Sequence, residues 1–186
     1  MKKGCDMSLP ALSLILGGAA SGKSRFAEAL AAGPTGQRTS FGERIYVATA
    51  QAQDAEMRAK IERHRTGRGP DWRTIEAPLD VAGSLGSAAL SDIVLIDCAT
   101  LWLSNQMLAG ADIDAETLRL LAALTACAAP VVIVTNEVGQ SIVPENPLAR
   151  RFRNEQGRLN QRLAAQAGLA VLVVAGLPLV LKGALP

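Results

Sequence analysis

Aromatic residues are scarce in this chain: two Trp, one Tyr and three Phe among 186 residues. A surface that stacks single-stranded nucleic acid needs such rings, so no stacking platform is visible. Excess charge is scarce as well. Lys and Arg number 19 against 17 Asp and Glu, and the resulting +2 is too small to argue for a nucleic-acid partner. Histidine occurs once, at His64. Cysteine occurs three times, at Cys5, Cys98 and Cys127, an odd number at wide spacing. That pattern has neither a disulfide framework nor zinc-ligand spacing, and it reads as reduced thiols in a cytoplasmic protein. Internal repeats, long linkers and low-complexity tracts are missing, and no membrane span is expected. Lys2-Lys3 followed by the apolar stretch Ala11 to Ala20 resembles a signal peptide. Cleavage there would destroy the motif described next, so that reading is rejected. Met7 offers an alternative start, and residues 1–8 read as a disordered tail.

What is present is 49 % apolar residues, enough for one globular domain over residues 1–186 with a sizeable core. Its most informative feature is Gly17-Gly18-Ala19-Ala20-Ser21-Gly22-Lys23-Ser24, a complete G-x-x-x-x-G-K-S phosphate loop. An apolar run, Leu12 to Leu16, enters it like a buried strand, and a helical stretch, Ser24 to Ala32, leaves it. Strand, glycine-rich turn and helix N-terminus is the context the motif needs. Small residues let backbone N–H groups surround phosphate oxygens, and the helix N-terminus adds partial positive charge. Lys23 would reach the β/γ-phosphates, and the Ser24 hydroxyl would ligate Mg²⁺. The motif predicts a bound nucleoside triphosphate.

Further apolar, β-branched runs occur at Arg44–Thr49, Asp92–Asp97, Val131–Thr135 and Leu169–Ala175, with a shorter strand at Arg73–Ala77. Helices are expected at Gln53–Thr66, Leu79–Ala89, Asp114–Cys127 and Asn154–Ala167, the last with Gly168 as C′ residue. Residues past Gly176 read as a short tail. Near-continuous apolar strands alternating with helices predict a three-layer α/β domain, the P-loop NTPase fold with a mostly parallel central sheet.

Asp97 closes Ile93-Val94-Leu95-Ile96-Asp97, the position from which a second acidic group contacts Mg²⁺ or its water. An Asp ending a strand at a turn is the plainer alternative. His64 lies among Lys60, Arg63, Arg65 and Arg68. Met57, Ile61 and His64 share a helix face, so spacing alone favours a packed histidine. Neighbouring cations, however, disfavour imidazolium, and a neutral ring beside phosphate-binding arginines is what attack on phosphorus requires. Glu137 follows a core strand at the sheet's carboxyl edge, where open α/β sheets bind ligands. Arg150, Arg151, Arg153 and Arg158 fit a solvated helix face, and Trp72 and Trp102 fit packing roles.

Several segments together resemble the bifunctional adenosylcobinamide kinase / adenosylcobinamide-phosphate guanylyltransferase family of cobalamin biosynthesis. They are Gly17 to Arg25, Ala27-Glu28, Tyr46 to Ala50, Arg63-His64-Arg65, Trp72 to Glu76 and Asp97 to Asn105. Thr135 to Gly139, Ile142 to Asn146, Ala149 to Arg153, Gly157-Arg158 and Asn160-Gln161 complete the set, in order over nearly all of residues 12–183. The phosphate loop alone is generic; the block Thr135–Gln161 is not.

The resemblance implies that His64 attacks the α-phosphorus of GTP and carries GMP to adenosylcobinamide phosphate. It also implies a kinase step on adenosylcobinamide with ATP or GTP as donor. Residues 17–24, together with Ala48, Thr49, Ala50, Arg65, Thr66, Gly67, Arg68, Glu76 and Asp97, fall on nucleotide-contacting positions. Mg²⁺ is the implied cofactor, held by Ser24 and Asp97, and the implied assembly is a homotrimer acting on a corrinoid substrate. Three departures stand out: Ala20 in place of a common Arg, Gly69 between Arg68 and Pro70, and Gly168 where an acidic residue is common. Competing readings are a simple small-metabolite kinase, a DNA-associated or regulatory ATPase, and a corrinoid-binding protein without catalysis.

Overall fold

The structure is a computed structural model that describes residues 9–33, 42–51, 58, 59, 62, 66 and 71–186. Its centre is a seven-stranded sheet in the order β3-β2-β4-β5-β1-β6-β7. The strands are β1 (Leu12–Gly17), β2 (Arg44–Ala48), β3 (Trp72–Glu76), β4 (Ile93–Asp97), β5 (Val131–Asn136), β6 (Leu169–Val174) and β7 (Leu177–Lys182). Every neighbouring pair is parallel except β6–β7. The expected α/β class and mostly parallel sheet are therefore present.

Alternation along each strand divides the core into two layers. Ile15, Tyr46, Ile93, Leu95, Val132 and Val134 pack with Ala27 and Ala31 of α1 (Lys23–Ala32). Leu14, Val47, Ile96 and Ile133 face the opposite way. There they meet Trp102 and Leu103 of α3 (Ala99–Leu108), Leu120 and Leu124 of α4 (Ile113–Ala126), and Leu159 and Leu163 of α5 (Pro147–Gln166).

Four expectations need correction. The tail past Gly176 is β7, an antiparallel edge strand whose residues are all exposed. The helix foreseen at Leu79–Ala89 is only α2 (Val81–Ser84), capped by Asp80, and a 3₁₀ turn at Leu85–Ser87. Gly83 and Gly86 in this stretch weaken helix formation. The last helix starts not at Asn154 but at Pro147, after Asn146, whose side chain accepts from Leu148 N (2.8 Å) and Ala149 N (3.3 Å). Gly168 follows that helix without a left-handed φ. Its glycine serves close approach instead, since a Cβ would stand 2.7 Å from Pro10 Cβ. The sequence pattern predicts no separate helix at α3, whose residues stand there only as part of a motif.

Candidate functional site

β1 delivers Gly17 to the sheet's carboxyl edge, between Asn136 of β5 and Val173 of β6. A Cβ on Gly17 would collide with Ser21 Oγ and lie 2.7 Å from the Val173 carbonyl oxygen, so the turn admits only glycine. Gly22 has a left-handed φ of 91° and leads into α1. Gly18, Ala19 and Ala20 are exposed, and Lys23 Nζ folds back to donate to Gly18 O at 3.0 Å. The loop thus presents backbone, an ammonium group and a helix N-terminus together, a geometry suited to phosphate.

A brace for this loop comes from the segment read as a tail. Ala175 (φ 52°) and Gly176 (φ 78°) form the tight turn of the β6–β7 hairpin, and Gly176 N–H donates to Ser21 O at 2.8 Å.

Asp97 ends β4, with β5 alone between it and the phosphate-loop strand. It shares the α1 face with Ile93 and Leu95 by alternation. Its Oδ2 accepts from Tyr46 OH at 3.2 Å, and the Tyr46 ring meets Trp72 edge-on at 6.3 Å. The other carboxylate oxygen makes no hydrogen bond among the described residues. Mg²⁺ takes one or two protein oxygens and fills its remaining sites with phosphate and water. The hydroxyl of Ser24 and the free oxygen of Asp97 are chemically suited to that task.

Thr49 is fully buried. Its hydroxyl donates to Cys98 O at 2.8 Å and accepts from Cys98 N at 2.7 Å, locking the residue after Asp97. The hydroxyl is therefore occupied by the neighbouring strand end. Burial, and next the charge of Asp97, push the Cys98 thiol up to about 11. Asn105 of α3 donates to Thr49 O and Pro78 O, each at 2.9 Å, tying the ends of β2 and β3 to the helix. Ala48 and Ala50 are half-buried, and Glu76, exposed at the end of β3, pairs in register with Ala48. Thr66 is exposed. His64, Arg65, Gly67 and Arg68 lie outside the described residues.

At the end of β5, Glu137 N–H donates to Gly17 O at 3.2 Å, and Glu137 Oε1 accepts from Gly139 N at 2.6 Å. Behind them lies a buried polar cluster that the sequence did not announce. Thr135 Oγ1 donates to Asn160 Oδ1 at 2.7 Å. Gln156 Nε2 reaches both Thr135 Oγ1 (2.9 Å) and Asn160 Oδ1 (2.8 Å). Thr100 Oγ1 accepts from Asn136 N at 2.7 Å, and Asn160 Nδ2 donates to Asn136 O at 3.1 Å. The arginines nearby are engaged structurally: Arg150 donates to Pro144 O and Glu145 O, and Arg158 pairs with Glu155 at 2.7 Å. Trp102 is buried and donates to Leu79 O, a packing role.

Comparison with known proteins gives the family. The family described as cobinamide kinase / cobinamide phosphate guanyltransferase matches residues 13–181. The bifunctional adenosylcobalamin biosynthesis protein CobP of Pseudomonas aeruginosa is 44 % identical over 173 residues, covering 91 % of this chain and 96 % of that protein. The bifunctional adenosylcobalamin biosynthesis protein CobU of Escherichia coli is 42 % identical over 185 residues, covering 91 % and 98 %. The protein of the same name from Salmonella typhimurium is 42 % identical over 186 residues, with the same coverage. The chain belongs to the cobinamide kinase / cobinamide phosphate guanyltransferase family.

Proposed function

We propose that this protein is a bifunctional cytoplasmic enzyme that phosphorylates adenosylcobinamide and then transfers GMP to the product. The observation that carries the reading is the phosphate loop at the sheet's carboxyl edge, with Asp97 and Asn136 on the same sheet face. In the kinase step, with ATP or GTP as donor, the loop backbone and the α1 N-terminus hold the nucleotide phosphates. Lys23 exchanges its bond to Gly18 O for phosphate oxygens. Ser24 and Asp97 would hold Mg²⁺, which would supply further charge neutralisation. Phosphoryl transfer depends mainly on such positioning and neutralisation.

In the second step an imidazole nitrogen of His64 attacks the α-phosphorus of GTP. A P–N bond forms as the P–O bond to pyrophosphate breaks. The phosphate of adenosylcobinamide phosphate then displaces the histidine, giving adenosylcobinamide-GDP. Ala48, Thr49, Ala50, Arg65, Thr66, Gly67, Arg68 and Glu76 are the proposed remaining nucleotide contacts. Thr49 contributes through backbone and through its hold on Cys98. The trimer implied by resemblance is proposed to form through β7, whose Leu177, Leu179 and Leu181 are exposed.

Lys23→Ala tests the shared site. Both transfers should fall by about 100-fold or more, with an unchanged melting temperature. Two intact activities would overturn the reading.

A further inference from the structure

We propose that Asn136 reads the terminal phosphoryl group of the bound nucleotide and distinguishes triphosphate from diphosphate. The inference rests on the nucleotide-site reading above and assigns a residue to the discrimination within it. β5 lies between the phosphate-loop strand and the Asp97 strand, and its last residue, Asn136, is in register with Gly17. Alternation puts Asn136 on the face of Val132 and Val134, which is the face of α1 and Asp97.

The backbone at this position is unusually well held. Pairing of β4 with β5 ends at Asp97 opposite Val134, two residues short of Asn136. Side chains replace the missing strand: Asn136 N–H donates to Thr100 Oγ1 at 2.7 Å, and Asn136 C=O accepts from Asn160 Nδ2 at 3.1 Å. The carboxamide is treated in the opposite way. Its Oδ1 is buried with no hydrogen-bond partner among the described residues. Its Nδ2 likewise makes no hydrogen bond among them. Gln156 Oε1 is also unpaired, but Gln156 is wholly buried within the cluster. Asn136 is half-buried, at the sheet edge that carries the phosphate loop.

A clamped backbone with an idle carboxamide is a preorganised polar group. Nδ2 donates to an oxygen of the terminal phosphoryl group, and Oδ1 accepts from the Lys23 ammonium or an ordered water. A diphosphate, held by the loop and Lys23, does not extend to this position. The carboxamide therefore contributes to triphosphate binding alone.

The test measures binding of the Mg²⁺ complexes of GDP and of the β,γ-imido analogue of GTP by calorimetry. A His64→Ala parent excludes covalent guanylylation. Asn136→Ala should weaken the triphosphate analogue by about tenfold or more, as expected for a hydrogen bond to a charged group. GDP affinity should stay within about twofold of the parent, because none of the loop contacts changes. Asn136→Asp, isosteric and therefore fold-preserving, should weaken the analogue further by repulsion. Equal weakening of both ligands, or of neither, overturns the proposal. A parent that binds neither ligand overturns it too, and with it the nucleotide-site reading.

Discussion

Thr49→Val removes one hydroxyl at nearly constant shape and tests how the Asp97 strand end is held. The Thr49 side chain is fully buried and makes two bonds, one to Cys98 O at 2.8 Å and one from Cys98 N at 2.7 Å. The two losses are unequal. Cys98 O keeps a second donor, Trp102 N–H at 3.1 Å, so its bond to Thr49 is worth about 0.5–1.5 kcal/mol. Cys98 N–H has no other acceptor among the described residues, and orphaning a buried donor costs about 1–3 kcal/mol. Together the substitution should destabilise the protein by roughly 3 kcal/mol. At this chain length that lowers the melting temperature by roughly 6–12 °C. Thr49→Ser retains both bonds and loses one methyl group, at about 1 kcal/mol. Denaturant titrations of the two variants supply the comparison. If Thr49→Val proved as stable as Thr49→Ser, the lock on Cys98 would be energetically empty.

Ala175 holds a left-handed φ of 52° in the hairpin turn, so Ala175→Asn should stabilise by roughly 0.5–1 kcal/mol in chemical denaturation, and a loss of stability would contradict the turn geometry. Asp92 accepts from Ala89 N and Glu43 N, which hold its carboxyl below the ordinary range. The stability it adds is complete above the ordinary carboxylate pKa of about 3.9 and is lost as pH falls through the lowered value. The urea-midpoint gap to Asp92→Asn should therefore close in acid; a gap constant at all pH would contradict this. The Cys98 thiol, pushed up to about 11 by burial, should resist a thiol-exchange reagent at neutral pH until the protein unfolds. Leu179→Lys on the exposed edge strand should shift the mass seen by light scattering from that of the proposed trimer to that of a monomer, and an unchanged mass would remove β7 from the proposed interface.

Much of the candidate site was legible because its residues are close in sequence or end a clear strand. Gly17 to Ser24 form a contiguous motif, and Asp97 closes an unmistakable apolar strand. Both sit where pattern and topology place them. What the sequence hid is non-local or poorly marked. The α3 segment Ala99–Leu108 follows β4 without a capping side chain, and Cys98 makes none, so its apolar residues run on from the strand. In β7, Pro178 and the preceding glycine read as chain-breaking, yet an edge strand tolerates proline. Thr100, Gln156 and Asn160 look in sequence like ordinary polar helix residues. Only the ending of β4 two residues short of Asn136 gives them their task.

The central claim is that one phosphate-loop site serves both phosphoryl and guanylyl transfer, with the nucleotidyl group carried on His64. Incubation of the protein with Mg²⁺ and α-³²P-labelled GTP, followed by denaturation and acid or base treatment, tests it most directly. An acid-labile, base-stable label that is absent from His64→Ala is the expected result. No label on the parent protein, with phosphorylation of adenosylcobinamide still measurable, would contradict it and leave a kinase alone.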